Sequence, residues 1–129
     1  MTTQKDLLEA GLDVRRDMFG VAGAEQALET ATDFTAPMQD IVTRWCFGEV
    51  WNRSPLDRKT RSMLTLAIIT TLGKQNQFKL HVRGAIANGV SKEEIREVLL
   101  HTMVYAGVPA AVDSFGSAVE ILKDLGLEK

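Results

Sequence analysis

His81 is the side chain of this sequence best suited to moving a proton, because an imidazole that titrates near ~6.5 changes charge with small shifts in its surroundings. On a helix, the spacing of Lys74, Gln77, Phe78, His81, Ala85 and Asn88 puts them on one face, so a cation, two amides and an imidazole share it. The same spacing also suits an interior histidine satisfied by hydrogen bonds. Arg83, two residues on, points away toward an ion pair or another subunit. Glu49, inside Trp45-Cys46-Phe47-Gly48-Glu49, is a second candidate proton carrier, although Arg53 four residues later could hold it as a surface pair. Arg44, Arg58 and Arg61 could clamp carboxylates, since guanidinium grips them in a two-pronged geometry. Trp45, Phe47 and Trp51 gather near Glu49, either as an apolar wall beside a poorly solvated carboxylate or as core. His101, following Leu99-Leu100 near a helix end, reads as structural. Together these residues offer candidate proton carriers and candidate cations.

Those side chains need a scaffold, and the chain can build one. With 129 residues, 45% of them apolar, it is expected to form a single domain over 1–129. A formal charge of -2 gives no broad field for nucleic acid or an anionic membrane, and Asp57 interrupts the basic run Arg53, Arg58, Lys59, Arg61. Neither partner is expected. Cys46 is the lone cysteine, so no disulfide can close within the chain and a reducing cytoplasm is the expected location. The leading residues lack the apolar stretch of a secretory signal. The longest apolar run, Met63 to Leu72, falls short of the ~20 residues that span a bilayer.

Strand signals are nearly absent and helix punctuation is frequent. An amphipathic segment runs from about Lys5 to Phe19 and stops at Gly20, with Gly23 loosening the next stretch. Thr35 before Ala36-Pro37 predicts a cap for a helix from Met38 to about Trp51. After Ser54-Pro55, Asp57 can cap a helix whose Met63, Leu64, Leu66, Ala67, Ile68, Ile69 and Leu72 surround the axis, which predicts a central buried helix. The next helix stops at Asn88-Gly89. Ser91-Lys92-Glu93-Glu94 is a capping box for another. Beyond Gly107-Val108-Pro109, the spacing of Val112, Phe115, Val119, Leu122 and Leu125 predicts one inward stripe. The fold class is all-α, with about six helices.

The strings TRWCFGEVW (43–51), LDRKTRS (56–62), HVRGA (81–85) and YAGVPAA (105–111) stand in the order and spacing of the carboxymuconolactone decarboxylase family, which this chain resembles over nearly its whole length. The resemblance implies an alkylhydroperoxidase D-like fold and a homo-oligomeric ring, a trimer or hexamer. It implies cofactor-free decarboxylation of a small lactone acid, 4-carboxymuconolactone, to 3-oxoadipate enol-lactone in aromatic catabolism. His81 and Glu49 are the implied catalytic residues, and Arg44, Arg58, Arg61 and Trp45 the implied substrate-binding ones. Two departures matter. Lys74 and Gln77 occupy the positions of the alkylhydroperoxidase D dithiol, so peroxide reduction by that pair is chemically closed. Gly23-Ala24-Glu25 stands where the family commonly has a histidine, a valine and an acid, which leaves a related lactone or small acid open as the substrate.

Overall fold

The computed structural model describes residues 2–129, and these contain seven α-helices and no strand. The helices are α1 (Gln4–Phe19), α2 (Glu25–Glu29), α3 (Ala36–Ile41), α4 (Arg58–Leu72), α5 (Gln75–Ala87), α6 (Lys92–Ala106) and α7 (Val108–Asp124). A single 3₁₀ turn (Val21–Gly23) precedes α2, and a π-helical stretch (Val42–Val50) continues α3. The count exceeds the expected six because the stretch after Gly20 winds into α2 rather than staying loose. The chain divides into two compact units, one through Arg58 and one from Lys59 onward.

In the first unit, Thr3 and Asp6 form a capping box at the start of α1, each side chain accepting the other's backbone N–H at 3.0 and 2.9 Å. Thr35 stands at the start of α3 as expected, but its side chain makes no cap bond to that helix; it exchanges backbone-to-hydroxyl bonds of 2.9 and 3.2 Å with Thr32 in the preceding turn. The helix predicted to run straight to Trp51 widens at Val42, so the Trp51 N–H reaches the Cys46 carbonyl, five residues back, at 3.0 Å. The Asn52 amide closes that stretch by donating to the carbonyls of Phe47 and Gly48. The π-helical stretch lies against α1 at two glycines. A Cβ on Gly11 would sit 1.9 Å from the Thr43 carbonyl oxygen, and one on Gly48 would sit 2.2 Å from that of Leu7. Val14, Met18, Phe47 and Trp51 form the core here.

In the second unit the core is Leu66, Phe78, Val82, Ala85, Val90, Ile95, Leu99, Ala118 and Ile121. The Ser91/Glu94 capping box forms as the sequence indicates, and Gly89 takes the left-handed φ of 91° that ends α5. One expectation fails and one holds in part, since of the stripe expected on α7 Leu122 is buried and Phe115 packs against the core. Helix α4 is not buried all round: Ser62, Leu66 and Thr70 face inward, whereas Leu64, Ile68 and Leu72 are exposed, Ile68 at 57%. Helix α7 buries Ala111, Ser114, Ser117, Ala118, Ile121 and Leu122 and leaves Val112, Val119 and Leu125 outside. The hydroxyls on the inner faces are hydrogen-bonded: Thr70 with Ser114 at 2.7 Å, Ser114 and Ser117 with the Gln75 amide, and Ser62 with the Asn88 amide at 3.0 Å. Paired in this way, they sit beside Leu66, Ala118 and Ile121 at little desolvation cost.

Candidate active site

Helix α5 presents His81 on its inner stripe, between Phe78, Val82 and Ala85. The rest of the expected face is divided, because Lys74 and Gln77 stay exposed at the helix start. His81 is 9% exposed, and burial lowers its pKa from 6.5 to about 4. At neutral pH the ring is therefore uncharged. Of the two charge states open to an imidazole, burial favours the neutral one for His81. Arg83 points outward and pairs with Asp124 at 3.0 Å, as its position opposite His81 implied.

A groove runs between α4 and α6. It comprises a hollow of about 390 Å³ bounded by Met63, Leu64, Glu97 and Val98 and one of about 410 Å³ bounded by Ile68, Leu72 and Tyr105; Ala67, His101 and Thr102 line both. His101, read as structural from sequence, stands exposed here with its ring 5.1 Å from that of Tyr105. His81 lines neither hollow.

In the first unit the three clustered aromatics separate. Trp45 is 63% exposed, while Phe47 and Trp51 are buried with ring centroids 5.9 Å apart, so no single aromatic wall surrounds Glu49. Glu49 is exposed on the π-helical stretch, and no ion pair involves it among the described residues. The Cys46 thiol is pushed up by burial and stays protonated, which weakens any reading of it as a reactive thiolate.

The arginines are partly committed already. Arg44 grips Asp40 through Nε at 3.0 Å and Nη2 at 2.6 Å and also donates to Gln4, and Arg58 holds Asp17 at 2.9 Å. Arg61 is half-buried on α4. Sequence reasoning missed Arg15. It lies on the inner stripe of α1 with Gly11, Val14 and Met18, donates from Nε to the Gly23 carbonyl at 2.7 Å, and donates from Nη1 to Gln39 at 2.8 Å and Thr43 at 3.0 Å. Its carbon centre stands 5.8 Å from the centroid of the Phe47 ring. The signal was present, because an arginine at the spacing of an apolar stripe must be buried with it.

The turn at Gly23 is tightly packed against α1. A Cβ on Gly23 would stand 2.4 Å from that of Phe19, so no larger residue enters there without a local shift. Among the described residues no helix is long and apolar enough to cross a membrane.

Residues 36–120 match the carboxymuconolactone decarboxylase family. The chain is 39% identical to the 4-carboxymuconolactone decarboxylase of Acinetobacter baylyi, over 91% of this chain and 87% of that protein. It is 43% identical to the nitrosuccinic acid decarboxylase of Metarhizium robertsii, over 92% of this chain and 83% of that one. An uncharacterized 15.0 kDa protein of Paracoccus denitrificans is 40% identical over 55% of the chain and 54% of its own length.

Proposed function

Because this chain belongs to the carboxymuconolactone decarboxylase family, we propose that it removes carbon dioxide from a small polyacid that carries its own electron sink, with 4-carboxymuconolactone as the leading substrate and aromatic breakdown as the setting. The observation that carries this reading is likeness over nine-tenths of the chain to two decarboxylases of different acids. The two acids share a requirement. In the lactone, the bond to the departing carboxylate breaks and its electrons pass through the ring double bond to the carbonyl oxygen. In nitrosuccinic acid they pass to the nitro group. Each then needs a proton on carbon, donors for the charged oxygens, and a cation for the remaining carboxylate.

In this proposal the neutral ring of His81 donates a hydrogen bond to the charged oxygen as it develops. That role suits a ring that burial keeps uncharged. Glu49 carries the proton. Arg61 and Trp45 are assigned to substrate binding, while Arg44 and Arg58 could join them only by releasing Asp40 and Asp17. The exposed stripe Leu64, Ile68 and Leu72, together with Val104 and Tyr105, which is 81% exposed, is assigned to contact between copies of the chain in a homo-oligomer. A sedimentation mass equal to one 14.2 kDa chain at micromolar concentration would remove that assignment.

The direct test is carbon dioxide release by purified protein from each acid without added cofactor. Turnover of 4-carboxymuconolactone is expected. The second reading, nitrosuccinate as substrate, draws on the relative of that name and on the altered Gly23 segment, and turnover of that acid alone would favour it. Inactivity on both, beside an active control enzyme, would end the decarboxylase reading.

A further inference from the structure

We propose that Arg15 is an anion-binding residue that holds a carboxylate of the substrate. This assignment rests on the decarboxylase reading for the identity of the ligand and on geometry for the site itself. Two neighbouring arginines on α1 differ sharply in their company. Arg16 is ion-paired with both Asp13 and Glu25, the latter through Oε1. Arg15 is only 8% exposed, yet every group it bonds is neutral: the Gly23 carbonyl, the Gln39 amide oxygen and the Thr43 hydroxyl. The nearby Cys46 thiol is held protonated by burial and supplies no counter-charge.

A cation largely removed from water without a carboxylate is costly, and the acids of α1 and α3 at Asp13 and Asp40 are paired with Arg16 and Arg44 instead. The three bonds engage Nε and Nη1 and fix the plane of the guanidinium. None of these three bonds uses Nη2. The result is a preoriented donor edge carrying a full positive charge. A small anion brought to it would gain a charge-assisted bond and relieve an uncompensated buried charge in one step. The turn at Gly23 belongs to this device, since its carbonyl aims Nε.

Succinate, a dicarboxylate that cannot be turned over by this chemistry, is the probe. Wild-type protein should melt at higher temperature as succinate is added, and uncharged succinamide should have no such effect. In Arg15→Gln the succinate affinity should fall about 10- to 100-fold, the scale of one charge-assisted bond, while Arg83→Gln, which loses only an outward pair with Asp124, binds as wild type. Arg15→Lys keeps the charge but loses the fork, and should bind about 10-fold more weakly; it serves if the glutamine variant fails to fold. With an active substrate, Arg15→Gln should raise KM by a similar factor and change kcat little. Failure of wild type to respond to succinate, or an unchanged affinity in either Arg15 variant, overturns the assignment. Succinate binding that depends on Arg15 without turnover of either acid would leave the anion site standing and end the functional reading. Turnover with unchanged KM in Arg15→Gln would do the reverse.

Discussion

Turnover by His81→Ala is expected to fall by about 100-fold or more, the scale of losing one preorganised donor to a developing oxyanion. The glutamine variant should recover a measurable part of the loss, because a side-chain amide is also a neutral donor. An imidazolium acid could not be replaced in this way. The charge state follows from burial, which takes the pKa of His81 from 6.5 to about 4. The sign of the stability effect is then set. A histidine whose folded pKa lies below its unfolded one stabilises nothing extra above pH 6.5, and penalises the fold as pH falls from about 6.5 toward 4, where the unfolded chain takes the proton first. The penalty approaches about 3 kcal/mol at most. Urea denaturation at pH 7 and pH 4.5 should show wild type losing more stability than His81→Gln over that interval. Full turnover by a folded His81→Ala protein would take the residue out of the chemistry, and identical pH slopes would deny that its ring is held neutral by burial.

Gly48→Ala should destabilise the protein by about 3 kcal/mol or more, at the top of the range for overpacking. Gly11→Ala should do the same. The added methyl at position 48 would lie 2.2 Å from the Leu7 carbonyl oxygen and 3.2 Å from that of Thr43; at position 11 it would lie 1.9 Å from the Thr43 oxygen. All of these are backbone atoms, so no side chain can rotate aside. The π-helical stretch must move off α1, opening the small core of Val14, Met18, Phe47 and Trp51. Gly116→Ala on α7 is the matched control, because its methyl meets nothing within 4 Å. There the helix should gain up to about 1 kcal/mol. Thermal melts separate the cases: a Gly48→Ala protein melting with wild type would show that the two helices have room to spare.

Local rules carried most of the element boundaries. Capping residues and left-handed glycines act within four residues, so the stop at Gly20, the Ser91/Glu94 box and the turn at Asn88-Gly89 were readable directly. The widening at Val42 was not, because it depends on α1 lying against two glycines that are 37 positions apart in sequence. Residues of the site divide in the same manner. His81 and Glu49 could be nominated from side-chain chemistry and from resemblance, whereas the commitment of Arg44 to Asp40 competes with other uses that only geometry can rank.

What the sequence by itself determined is the helical class, the punctuation of its segments, the family, and the absence of the dithiol at Lys74 and Gln77, all properties of residue type and near-neighbour spacing. Tertiary structure decided which face of each helix turned inward. Helix α4 is apolar on several sides, and the face turned inward carries Leu66 with the hydrogen-bonded Ser62 and Thr70. It also decided charge: burial neutralises His81, and two arginines adjacent on α1 end with opposite company. Desolvation depends on what packs around a group from distant parts of the chain, and periodicity along one helix holds no record of that.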